Sequence, residues 1–293
     1  MRFVSTVAAL ILALLAPLTA SAECNQTSLR LAVIPKKDMQ VMMREYQPLM
    51  ARLSADLQMP VEMVAMTSYE SVIDAIISGG VDIAWLGPAS YIEAWRREPG
   101  IEPFASLTLH QGHFTPAGHH YRSLLMVRRD EAADLQALRG GIVALSDPAS
   151  TSGSLVPKTE FARQVGQPLE QFFGAVSYSG SHDNALDALL QGKVDAAFVA
   201  SVRADAYLKQ GRITPDTLDV LWQSQPIYYD PYVFSARLCS QLKERIRQSM
   251  LTDPEGLSEF LASQHASGIA PVGHGEYQPL LKMMEQSREG TKP

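Results

Sequence analysis

Ser68-Tyr-Glu-Ser-Val-Ile-Asp-Ala-Ile-Ile-Ser-Gly-Gly-Val-Asp-Ile-Ala-Trp85 and Ser181-His-Asp-Asn-Ala-Leu-Asp-Ala-Leu-Leu-Gln-Gly-Lys-Val-Asp-Ala-Ala-Phe198 are one pattern written twice. They align without a gap, so that Asp74 falls on Asp187, Gly79 on Gly192, Asp82 on Asp195 and Trp85 on Phe198. In each, a serine that can cap a helix precedes apolar residues at helical spacing: Val72, Ile73, Ile76 and Ile77 in the first, Ala185, Leu186, Leu189 and Leu190 in the second. A glycine suited to a helix C-terminus follows, and then a short apolar run of strand character, Val81 to Leu86 or Val194 to Val199.

The flanking segments repeat as well. Leu29 to Ile34 reads as a strand, Met39 to Leu57 as a helix and Val61 to Ala65 as a strand. In the second half the counterparts are Gly141 to Leu145, Leu155 to Val165 and Ala175 to Tyr178. Strand–helix alternation predicts an α/β chain with a parallel-type sheet and crossover helices in each half. Two similar lobes follow, with Tyr121 to Val127 and Ile227 to Ser235 as the segments crossing between them. The expected division is 23–120 with 227–293 as the first lobe and 121–226 as the second. Leu238, Leu242, Ile246 and Met250 form the apolar stripe of a helix on the return to the first lobe.

Outside this frame the chain opens like a secretory signal peptide. Arg2 precedes an apolar run from Val4 to Leu18, broken by Pro17, and Ala20-Ser-Ala22 ends it. Residues 1–22 are expected to be cleaved, and Glu23 before Cys24 does not suit a lipid-anchor signal. The net charge of −6 argues against nucleic acid or an anionic membrane as partner. The two cysteines, Cys24 and Cys239, predict one disulfide in an oxidising compartment.

The chemistry gathers at three places. Ser150, Thr151 and Ser152 follow a strand and open a helix, where hydroxyls, backbone N–H groups and the helix dipole can hold a tetrahedral anion without a cation. An ordinary serine-rich cap would read the same way. Tyr69 and His182 take equivalent places in the two repeats, at helix starts off the carboxyl ends of strands, where open α/β sheets bind ligands. Asp230, in Tyr228-Tyr-Asp-Pro231, would repel a bare anion but would accept a hydrogen bond from a protonated one, so it can select P–OH against sulfate.

At these residues the chain resembles the PhnD-like phosphate, phosphite and phosphonate substrate-binding proteins of ABC importers. The matching segments are Asp147-Pro-Ala-Ser-Thr-Ser-Gly153, Gly180-Ser-His-Asp183, Gly192-Lys-Val-Asp-Ala-Ala197, Val81-Asp-Ile-Ala-Trp-Leu-Gly-Pro-Ala-Ser-Tyr91 and Asp230-Pro231. The resemblance implies a two-lobed periplasmic binding protein of the type II Venus-flytrap kind. It implies that Ser150, Thr151 and Ser152 hold the head group, that His182 and Asp230 contact it, and that Tyr69 and Tyr91 close over it. Trp85, Leu86 and Ser181 are expected nearby. It further implies a periplasmic monomer without cofactor, partnered by an inner-membrane permease. Binders of aminophosphonates in this family carry an acidic residue where this chain has Val202, which points to a ligand without an amine.

Three other readings compete. Ser, His and Asp invite a hydrolase, but no Gly-x-Ser-x-Gly elbow exists and a row of hydroxyls at a helix start suits an anion better. His110, His113, His119 and His120 could bind metal, yet they lie in a Gly/Pro-rich loop. A sensor that presents its ligand to a membrane receptor would use the same lobes.

Overall fold

The computed structural model describes residues 24–129 and 131–289. The signal-peptide reading of 1–22 falls outside them. The chain forms two sheets joined by a two-stranded ladder. The first half runs β1 (Leu29–Val33), α1 (Met39–Leu57), β2 (Val61–Met63), α2 (Tyr69–Ser78), β3 (Ile83–Trp85), α3 (Pro88–Arg97) and β4 (Glu102–Leu109). Then β5 (His120–Tyr121) leads to β6 (Ser123–Arg128) and β7 (Ile142–Leu145). A continuous helical stretch follows from Thr151, ending in α4 (Ala162–Val165), with α5 (Leu169–Phe172) after it. The second repeat supplies β8 (Ala175–Tyr178), α6 (His182–Leu190), β9 (Ala196–Ala200), α7 (Ser201–Lys209) and β10 (Leu218–Gln223). The return comprises β11 (Ile227–Tyr228), β12 (Pro231–Phe234), α8 (Ser240–Leu251), α9 (Ser258–Ser263), β13 (Ala266–Pro271) and α10 (Gln278–Glu289).

The repeat reappears in the pairing. β1 lies between β2 and β3, parallel to both, and β7 lies between β8 and β9 in the same way. The helix starts are capped as their serines predict: Ser68 Oγ accepts from Ser71 N and Ser181 Oγ from Asn184 N. Gly79 closes α2 in the left-handed conformation, φ 72°, which a residue with a Cβ adopts only under strain.

The sheets are mixed rather than parallel, and the reason is the crossing. Beyond the ladder, where Ile227 pairs with Tyr121 and Tyr228 with His120, each segment enters the opposite lobe and pairs antiparallel. β6 lies against β9 in one sheet, and β12 lies between β3 and β4 in the other. The extended segments at 121–127 and 227–235 are therefore each a short hinge strand followed by a sheet strand. Cys24 and Cys239 are bridged across 215 residues, fastening the start of the described chain to the N-terminus of α8. In α8, Leu242, Ile246 and Met250 of the expected stripe are buried in the first-lobe core.

Candidate ligand-binding site

Every parallel strand of the two repeats ends at the same small enclosed pocket between the lobes. Its walls are Ile34 and Lys36 beyond β1, Tyr69 beyond β2, Gly87 beyond β3, Ser150–Ser152 beyond β7, His182 beyond β8, and Ala200 and Val202 at β9 and α7. Tyr121 and Asp230 come from the two crossing segments. Such convergence is what sheets with parallel strands offer at their carboxyl ends.

Ser150 caps the second-lobe helix, its Oγ accepting from Gly153 N at 3.1 Å. The turns that follow are wound as π-helix, with Leu155 N bonding to Ser150 O at 3.0 Å. Helical propensities do not separate i→i+5 from i→i+4 winding, so this departure was not readable from the sequence; π turns are frequent at functional sites. The first-turn amides of Thr151 and Ser152 have no partners within the helix. They and three buried hydroxyls lie at the positive end of the helix dipole, against the pocket.

His182 is buried, and its tautomer follows from its partners. Ala200 N donates to Nδ1 at 3.2 Å, so Nδ1 is a lone pair and Nε2 carries the proton. That Nε2–H lies 3.3 Å from Ser150 Oγ at the pocket wall. Burial, helped by the nearby Arg203 and Lys36 charges, lowers the imidazole to about 3. His182 is thus a neutral donor. Its ring nitrogens are expected to show no titration between about pH 5 and 8, where an ordinary imidazole gains its proton on acidification; a ¹⁵N shift change centred near 6.5 would contradict this assignment. Tyr69 Oη is buried at the same wall with no hydrogen-bond partner, an orphaned donor facing the pocket.

Asp230 is 6 % exposed and Lys36 7 %. Burial pushes the Asp230 carboxyl up from its ordinary value, against the Lys36 charge; burial pushes the Lys36 ammonium down, against Asp230. Lys36 Nζ lies 3.4 Å from Tyr229 Oη and 3.8 Å from the centre of the Trp85 ring.

The lobes touch at the rim. Thr151 Oγ1 accepts from Ala89 N at 2.9 Å, and Ser90 Oγ donates to Ala149 O at 2.9 Å. Asp183 N reaches Lys36 O at 3.4 Å.

Of the residues singled out from the sequence, Tyr69, Ser150, Thr151, Ser152, His182 and Asp230 come together here. Tyr91 does not. It turns away from the second lobe, bonds His274 Nδ1 at 2.7 Å and packs edge-on against Tyr277, so it fastens the C-terminal segment. One and two residues earlier on α3, Ser90 and Ala89 make the lobe contacts instead. Trp85 and Leu86 lie behind the wall: Trp85 Nε1 donates to Asp230 O, its ring supports Lys36, and Leu86 N bonds Pro231 O. Ser181 is occupied as the cap of α6. Lys36, Tyr121, Ile34, Gly87, Ala200 and Val202 complete the lining. His119 and His120 pack against Tyr228 in the hinge, while His110 and His113 face a second, wider cavity at the cleft mouth. Among the described residues no group of three or more His, Cys, Asp or Glu is placed to hold a metal.

Residues 31–277 match the family described as "ABC transporter, phosphonate, periplasmic substrate-binding protein". The chain belongs to this family. Among relatives of this phosphonate-binding family, the phosphate-import protein PhnD of Mycolicibacterium smegmatis is 25 % identical over 278 residues, covering 89 % of this chain and 86 % of that one. The phosphonates-binding periplasmic protein of Escherichia coli is 29 % identical over 232 residues, covering 78 % and 66 %. In solved structures the same fold recurs in PhnD1 of Prochlorococcus marinus in complex with methylphosphonate, with TM-score 0.76, 18 % identity and coverage of 89 % and 98 %. A binding component of an ABC phosphonate transporter from Pseudomonas aeruginosa gives TM-score 0.78 at 22 % identity, covering 89 % and 86 %. As a member of the phosphonate-binding family, the chain is a type II periplasmic binding protein, a substrate-binding component of an ABC importer rather than an enzyme. Its membrane partner is the importer's permease.

Proposed function

We propose that this protein captures a small phosphorus oxyanion without an amine, a phosphonate, phosphite or phosphate, by closing its lobes over it. The reading includes export with removal of residues 1–22, action as a monomer, and movement of 23–120 with 227–293 against 121–226 about the hinge ladder. The observation that carries it is the donor set on one pocket wall: the Ser150–Ser152 hydroxyls at a helix start, the neutral His182 Nε2–H and the orphaned Tyr69 Oη. These suit a head group with several oxygens. Tyr91, Trp85, Leu86 and Ser181 act in this reading by fixing the pocket's frame.

Val202 lines the pocket, as does Lys36, and Val202 stands where the resemblance implies that aminophosphonate binders carry an acidic residue. Calorimetric titration of the ligand-stripped mature protein should therefore rank methylphosphonate or phosphite above 2-aminoethylphosphonate by at least about tenfold, the penalty of an unpaired charged group. Sulfate should give no heat. Failure of every phosphorus compound would overturn the ligand class. Tighter binding of the aminophosphonate would overturn the role given to Val202.

A further inference from the structure

Lys36 has no place in the donor set inferred from the sequence, yet among the described residues it is the Lys or Arg that lines the pocket with that set. It sits in the connection from β1 to α1, which corresponds in the first repeat to the connection between β7 and the helix that Ser150 caps. Its side chain is carried by aromatic surface, the Trp85 ring and Tyr229, rather than by carboxylates. A buried ammonium has three donors to satisfy, and here the hydrogen bond to Tyr229 is a long one at 3.4 Å.

The surrounding charges are otherwise committed. Lys37 is paired with Glu45, and Arg203 with Asp183 in a two-bond fork. His182 is neutral, and Tyr69, Tyr121 and Tyr229 are held in the phenol form by burial. That leaves Lys36 and Asp230 as the two opposite charges facing the pocket. Both line it, and each charge favours the ionised form of the other.

We propose that Lys36 is a head-group contact of this chain, and that Lys36 and Asp230 grip the head group from two sides, Lys36 donating to an ionised oxygen and Asp230 accepting from a P–OH. The proposal rests on the function given above and sharpens it. The pocket is then electrically balanced, and it takes a singly protonated anion in preference to a fully ionised one. Sulfate fails because it offers no proton to Asp230, and a neutral ester fails because it offers no charge to Lys36. Trp85 supports the grip from behind, which gives that residue a function without contact.

The test is calorimetry with methylphosphonate and with sulfate on the wild-type mature protein, Lys36→Met, Asp230→Asn and the double variant, each checked for its thermal unfolding midpoint. Lys36→Met keeps the length of the stem and leaves Asp230 facing the anion alone, so methylphosphonate should weaken by at least about tenfold. Asp230→Asn leaves Lys36 unopposed, and sulfate should begin to bind. The double variant removes both charges and should recover part of the methylphosphonate affinity lost in Lys36→Met. Unchanged affinity in Lys36→Met overturns the proposal. So does equal weakness in Lys36→Met and the double variant, which would make Lys36 a packing element only. A wild type that binds no phosphorus oxyanion would instead remove the function on which the grip rests, and the wild-type arm alone reveals that case.

Discussion

Replacing Gly153 by alanine is expected to abolish binding of every phosphorus oxyanion and to destabilise the second lobe by about 1–3 kcal/mol, as overpacking of a tight interior does. The cause is space rather than backbone conformation. A Cβ on Gly153 would stand 1.8 Å from Ser146 Oγ, 2.7 Å from Ser146 Cβ and 2.9 Å from His182 Cε1. The backbone cannot yield easily, because Ser146 N bonds Gly153 O at 3.1 Å and Ser150 Oγ holds Gly153 N. The methyl group therefore pushes either on the β7 terminus or on the imidazole. Moving His182 breaks the Ala200 N–H bond that fixes its tautomer, and with it the donor at the pocket wall. Calorimetry and thermal unfolding check the two halves of this prediction. Wild-type affinity with an unchanged midpoint would show that the turn is looser than its contacts indicate.

Gly153 also shows what the sequence could and could not disclose. The row of hydroxyls ending in a glycine is legible, and a helix start beyond a strand is legible from the apolar runs around it. The repeat placed Tyr69 and His182 at equivalent helix starts, and both line the pocket. Lys36 was missed because Pro35-Lys-Lys37 reads as a solvated turn, whereas the fold buries Lys36 against Trp85 and Tyr229, which lie far along the chain. A signal was available: the turn after the first strand of each half is equivalent, and the second-half copy had already been singled out. Tyr121 was missed because it was read only as part of a crossing strand. Tyr91 was misplaced by one helical step. Consecutive residues on a helix point about 100° apart, so an assignment by segment cannot tell whether Ser90 or Tyr91 faces the partner lobe. The face of α3 is decided by His274 and Tyr277, the first of which lies 183 residues beyond Tyr91, and no local pattern encodes their approach.

The second large effect concerns closure. Thr151 has two duties in this structure: its hydroxyl faces the pocket, and its Oγ1 accepts the Ala89 amide from the other lobe at 2.9 Å. Thr151→Val keeps the shape and removes both. Losing a hydrogen bond to a charged ligand costs about 1.5–3 kcal/mol and a neutral one about 0.5–1.5, so affinity should fall by roughly 30- to 2,000-fold. Ser90→Ala separates the two duties. Ser90 is absent from the pocket wall, but its hydroxyl donates to Ala149 O across the same rim. Its loss disfavours only the closed state, and a ligand that binds the closed state alone then weakens by the drop in its population, about two- to tenfold. Small-angle scattering with and without methylphosphonate should show both variants still closing at saturating ligand, since the ligand's preference for the closed state outweighs one rim bond. If Thr151→Val weakens binding no more than Ser90→Ala does, Thr151 is a latch and does not hold the head group. If Ser90→Ala leaves affinity untouched, the rim bonds do not set the closing equilibrium, and the bias toward the closed form must come from the head-group contacts themselves.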